Sequence, residues 1–352
     1  MKPFASVPVY LLVCMLGLSF APLCQGGDLA EEQAWQTTPE ILARITPPVF
    51  PDKEFFITDY GAVGDGKTNC TEAFQKAIAA GVRNGGGKVV VPAGTFYTGP
   101  IHLKSGINLH LKDGAVVLFS TDPKDYLPAV FTRFEGIECI NYSPLIYAFE
   151  QENIAITGSG TLDGNANASN WWAWKKTQKP DVKSLGQQAE RQTPVNQRVY
   201  GKGHFLRPNM IQPYRCKNIL IEGVTIKNSP MWHIHPTLSS NITVRKTTVI
   251  GHGPNNDGCN PESCRDVLIE DCYFDTGDDC IAIKSGRNAD GRRVNTPSEN
   301  ILVRGCTMKD GHGGVVLGSE ISGSVRNVFI EDCLMDSPNL QRGLRIKTNS
   351  VR

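Results

Sequence analysis

The sequence predicts an all-β fold, a right-handed parallel β-helix (a solenoid) with an N-terminal helical cap. A short template recurs through its second half, and the stretches between copies hold strand-forming runs and turn residues without helical periodicity. Cysteines occupy one fixed place in three of the copies.

Residues 1–26 have the order of a secretory signal: Lys2, an apolar run from Val7 to Phe20, then small and polar residues around Cys24 and Gly26. The run is too short to span a bilayer comfortably. Ala21-Pro22-Leu23 is a poor lipobox, which argues against a lipid anchor on Cys24. Residues 27–53 read as an N-terminal extension and 54–352 as the β-helix domain. The mature chain is therefore expected to be secreted, extracellular or periplasmic. Eleven cysteines less Cys14 and Cys24 leave nine, so at least one thiol is unpaired.

Glu54–Tyr60 reads as a strand. Thr71–Val82 has helical periodicity in Ala73, Phe74, Ala77, Ile78 and Gly81, and Gly85–Phe96 returns to strand. A helix across the open end of a solenoid covers its unpaired strand edges. The template then starts at Asn218, Asn241, Asp266, Asn300 and Asn327, with separations of 23, 25, 34 and 27 residues. Each copy is Asn or Asp, a run of β-formers, a polar pair and an apolar or small residue; Glu152–Gly158 is a diverged copy. The period is too short for a βαβ unit and suits one coil per repeat, with strands stacked about 4.8 Å apart. Cys272, Cys306 and Cys333 each fall six residues after a start, which predicts an internal stack rather than disulfides. Between Asn165 and Pro208 an insertion carrying Trp171, Trp172 and Trp174 interrupts the repeat, as a functional loop over a binding face does.

Thirty-six Lys+Arg against 35 Asp+Glu exclude a charge-driven nucleic-acid binder. No second apolar run approaches membrane length, so no membrane span is expected. A zinc set of Cys259, Cys264, Cys272 and Cys280, with His233 and His235, lacks the tight pairs that zinc favours, and no metal is expected. Gly61 to Thr68 (GAVGDGKT) matches the P-loop pattern to the letter. Asp65 nevertheless puts a carboxylate where an anion should sit, and coils rather than βαβ units follow.

The chemistry is concentrated in the repeat. Asp257 follows Asn255-Asn256, Asp278 and Asp279 follow Thr276-Gly277, and Asp257 to Asp279 is 22 residues, close to one coil. His312, in Gly311-His312-Gly313, comes 33 residues after Asp279, and Arg345-Ile346-Lys347 33 residues further on. Carboxylates crowded together raise one another's proton affinity, so one stays protonated as another ionises, as glycosidic hydrolysis requires. Two cations two apart on a strand can hold a substrate carboxylate. One obstacle is that adjacent Asp278 and Asp279 face opposite sides of a regular strand, so the chain must bend. Singly, each acid would be read as a turn residue.

Asn-Asn-Asp, Gly-Asp-Asp, Gly-His-Gly and Arg-Ile-Lys, in this order on a β-helix, resemble the four signatures of glycoside hydrolase family 28, the polygalacturonases. The resemblance runs from about Phe55 to the end and takes in the P-loop mimic. It implies hydrolysis of α-1,4-galacturonosyl bonds of pectin with inversion and without cofactor. By the same resemblance Asp278 is the general acid, Asp257 and Asp279 position and deprotonate water, and His312 tunes the carboxylates. Arg345 and Lys347 bind the galacturonate carboxylate. Asn255 joins the binding set by motif, Lys284 and Arg287 by charge alone.

The departures are Asn256 in place of the usual Thr and a longer Gly314-to-Ser319 segment after Gly-His-Gly, closer to bacterial and plant-type members. With the insertion walling one end of the cleft, they favour exo action. The family continues through further coils after Lys347 and places an aromatic residue later in the cleft; the chain is read as cut short at Val351-Arg352. The alternative is a non-catalytic β-helix that binds an acidic polysaccharide. A pectate lyase on this fold would need calcium. A monomer is expected; which pectin is cut and whether Asn141, Asn167 or Asn241 is glycosylated stay open.

Overall fold

The computed structural model describes residues 33–352, so the signal segment lies outside the described residues. The chain is a right-handed parallel β-helix. One sheet has nine strands, from Glu54–Phe56 through Glu152–Gly158 and the template copies to Val325–Glu331. A second has eight, from Asp65–Asn69 to Thr307–Asp310. The third face is broken into short pieces. Ile211–Tyr214 is followed by single bridges Ile211–Ile234, Ile234–Cys259 and Cys259–Ile281, then by the strands Asp279–Ile283, Gly313–Gly318 and Leu344–Lys347. The Asn-Asn-Asp, Gly-Asp-Asp, Gly-His-Gly and Arg-Ile-Lys segments fall on or beside this broken face.

The template residues explain the stacking. Asn153, Asn218, Asn241, Asp266, Asn300 and Asn327 all have φ between 54° and 58°. Asn and Asp tolerate this left-handed region better than other residues with a Cβ. Their side chains also form ladders: Asn218 Nδ2 donates to Asn153 Oδ1 at 2.8 Å, Asn241 to Asn218 at 2.7 Å, and Asn327 to Asn300 at 3.0 Å. Register then places Ile219, Ile242, Val267 and Ile301 in one buried column. Cys306 lies within hydrogen-bond reach of Cys272 and Cys333, and all nine described cysteines are free thiols, so this column is the expected stack. The four cysteines of the zinc reading do not gather among the described residues.

The N-terminal strand is shorter than the periodicity suggests. It covers Glu54–Phe56, and Ile57–Tyr60 turns as a 3₁₀ helix that ends on Gly61 at φ 96°. The cap helix, Thr71–Arg83, buries Phe74, Ala77 and Ile78; a Cβ at Gly81 would come 2.7 Å from Ile107 Cδ1, so glycine permits the close seat. Asp65 fills its own P-loop-like turn. Its carboxylate accepts Lys67 N–H, Thr68 N–H and the Thr68 hydroxyl, each at 2.8 Å, and the amide bonds bring its pKa down to about 2.

In the extension, the helix Thr38–Arg44 lies on the outside of the nine-stranded sheet, with Ile41 and Ile45 on Leu268, Leu302 and Phe329. The insertion folds into short helices, Trp174–Thr177 and Lys179–Glu190. Its tryptophans anchor it rather than face a binding groove. Trp171 is buried 4.8 Å from the Trp174 ring and 5.5 Å from Tyr126, and Trp172 Nε1 donates to Ser229 O at 2.9 Å. No helix among the described residues is long and apolar enough to cross a membrane.

Candidate active site

Asp257 ends a turn built by its neighbours. Asn255 takes φ 58°, and the buried Asn256 amide donates to Ser229 O and Met231 O at 2.9 Å and accepts Gly253 N–H at 2.9 Å. Asn256 thus shapes the turn, and its difference from Thr does not reach the cleft. Asp257 Oδ2 accepts from Asn260 Nδ2 at 2.8 Å, with Lys284 Nζ 3.9 Å away.

One coil on, the chain bends at Gly277-Asp278 before the strand Asp279–Ile283. A Cβ on Gly277 would stand 2.8 Å from His252 Cα, so glycine is required there. The bend resolves the opposite-face obstacle: Asp279 N–H donates to Asp278 Oδ1 at 3.1 Å. One carboxylate oxygen from each of Asp257, Asp278 and Asp279 lies within 4.8 Å of the others. The 4.8 Å is between single oxygens and is not the carboxyl-to-carboxyl separation, which is roughly 6.5–9.5 Å in inverting glycosidases generally.

Each carboxylate has its own basic partner. Asp279, fully buried, takes Lys347 Nζ on Oδ2 at 2.7 Å and has Arg345 3.8 Å from Oδ1. Oδ1 accepts no hydrogen bond among the described residues. Asp278 is 17% exposed and meets His312 Nδ1 at 3.1 Å. Asp257, 4% exposed, has Lys284. Burial above all, then the Asp278 charge, pushes the Asp257 carboxyl well above the carboxylate range; Lys284 opposes this.

Asn255 also reaches the trio. Its Nδ2 lies 3.4 Å from Asp278 Oδ2, while its Oδ1 accepts from Arg207 at 2.8 Å and from Lys175 at 2.5 Å. One charge-based expectation needs correction. Lys284 is 3% exposed beneath the site, 3.0 Å from Glu320 Oε2, so a sugar in the cleft does not reach it. Arg287 lines the cleft beside the trio, tied to Glu135 at 3.2 Å. Arg207, Lys175 and Glu320 escaped sequence reasoning, because none belongs to a motif. A second donor set that could chelate a cation, His252, Asp275 and Asp310, lies at the edge of the neighbouring sheet, with His252 packed on Gly277 next to Asp278.

Residues 86–352 match the Glycosyl hydrolases family 28 profile, and residues 55–110 match one described as rhamnogalacturonase A/epimerase, pectate lyase-like. A probable polygalacturonase of Vitis vinifera is 34% identical over 84% of this chain and 57% of its own length. An exo-poly-alpha-D-galacturonosidase of Dickeya chrysanthemi is 30% identical over 83% of this chain and 51% of its own. The chain thus spans little more than half the length of these relatives. The crystal structure of a hyperthermoactive exopolygalacturonase from Thermotoga maritima superposes with a TM-score of 0.88 at 54% identity, covering 91% of this chain and 74% of that one. On the match over residues 86–352 and these likenesses, the chain belongs to glycosyl hydrolase family 28.

Proposed function

We propose that this protein is a secreted, exo-acting hydrolase of the α-1,4-galacturonosyl bonds of pectic galacturonan. The observation that carries the reading is the convergence of Asp257, Asp278 and Asp279 within 4.8 Å, with Lys347 and Arg345 at one edge. Crowded carboxylates share a proton, and the shared proton belongs to the group rather than to one member. Asp278 is the most exposed of the three, so it is the one that reaches the leaving oxygen as acid. Asp257 and Asp279 flank a water; the free Asp279 Oδ1 takes its proton while His312 responds to the Asp278 charge. Attack opposite the leaving oxygen inverts the anomeric carbon. Arg345 and Lys347 hold the sugar carboxylate at the cleavage point.

Exo action is supported by the likeness to exopolygalacturonases. Secretion rests on the basic-then-apolar start. The test is digestion of de-esterified galacturonate oligomers. Monomer accumulating alone, released as the inverted anomer in a proton NMR time course, is expected. A ladder of shorter oligomers overturns exo action, and a calcium-dependent product absorbing in the ultraviolet overturns hydrolysis.

A further inference from the structure

Beside the carboxylate trio a cleft of about 610 Å³ opens between the insertion helices and Glu135, Arg287 and Asn288. One wall carries Lys175, Lys179, Lys183 and Arg191; the lysines are four residues apart, the spacing that aligns side chains on one helical face. Among the described residues none of these four forms an ion pair, whereas Arg287 opposite is taken by Glu135. The stripe is locally unfavourable. Lys179 opens the helix Lys179–Glu190, where the helix dipole disfavours a cation, and like charges four apart repel. Lys175 is half-buried and donates to Asn255 Oδ1, whose amide nitrogen faces Asp278. The row therefore begins at the cleavage point and leads away from it.

We propose that this stripe is a carboxylate-binding wall for the uronate units lying on the insertion side of the scissile bond, with Lys175 innermost and Lys179 and Lys183 beyond it. The inference rests on the galacturonan reading above. A chain with one carboxylate per sugar meets a row of unpaired ammonium groups, and the attraction is screened by salt and lost where the carboxylates are esterified.

The test is calorimetric binding of unesterified trigalacturonate in the Asp278→Asn background, so that the ligand persists, with and without Lys179→Gln and Lys183→Gln. Both lysines are exposed, and circular dichroism checks that the fold is kept. Binding is expected to weaken about three- to tenfold, with a shallower salt dependence, and to recover with Arg at both positions. Equal affinities and salt slopes, failure of Arg to restore them, or no binding by either protein overturns the wall. Turnover by the chain with Asp278 intact is read separately. Charge-dependent binding without hydrolysis sinks the hydrolase reading and leaves the wall; hydrolysis with charge-independent binding does the reverse.

Discussion

Lys347 donates to Asp279 Oδ2 at 2.7 Å, so a cation expected to hold substrate is already bound to a carboxylate expected to hold water. The strand Leu344–Lys347 carries that lysine to Asp279 across the intervening strand Gly313–Gly318. Lys347→Met leaves the buried Asp279 with Arg345 alone at 3.8 Å. Steady-state kinetics on trigalacturonate should show kcat/KM lower by about 10²-fold, since the carboxylate loses its fixed position.

Asp278→Asn removes the acid but keeps the shape and a partner for His312. Hydrolysis should fall by about 10²–10⁴-fold. Calorimetric affinity for trigalacturonate should change little. Turnover that survives would put the acid elsewhere in the trio.

The pH profile follows from burial. Asp257 holds its proton well above the carboxylate range, chiefly because it is buried and then because of Asp278. A raised value means the proton is present at acidic pH and lost as pH rises through it. The trio shares that proton, and Asp278 can no longer act as acid once the group has lost it, so the rate should fall on the alkaline side at a pH well above the ordinary carboxylate value of about 4. A kcat profile already falling near that value contradicts the assignment.

Beneath the site, burial alone would raise Glu320, but Lys284, Ser319 and Arg352 bring it down to about 2. A depressed carboxylate contributes stability that is complete above its unfolded value and is lost as pH falls toward 2. The contribution is on the order of 3 kcal/mol. Urea denaturation at pH 6 and pH 3 should show a loss of this kind, smaller in Glu320→Gln. Lys284→Met leaves the buried Glu320 with only Ser319 and Arg352 and should cost up to about 3 kcal/mol at neutral pH.

The coils and the motif residues were legible because each is a local pattern repeated or spaced at the coil length. The Asn ladder from Asn153 to Asn327 and the column of Cys272, Cys306 and Cys333 are of this kind. Asp278 and Asp279 needed a bend that the alternation of strand faces forbids, and only the packing of Gly277 on His252 accounts for it. Lys284 was misplaced because charge says nothing about which side of a strand a residue occupies; its partner Glu320 lies 36 residues away. In the insertion the tryptophans drew attention by rarity, yet they are the anchor.

The helix Thr38–Arg44 and the residues after it have a mechanical consequence. Thr46 exchanges hydrogen bonds with Asn241, Arg44 meets Asp266, and Ile41 and Ile45 pack with Leu268, Leu302 and Phe329. These contacts fall on four successive turns of the solenoid. A linear array is otherwise coupled only between nearest neighbours and can unzip in stages. The extension acts as a splint, so these turns melt together. The turns that carry Asp257, Asp278 and His312 lie inside the splinted span, and these side chains therefore keep their mutual alignment until the whole span gives way.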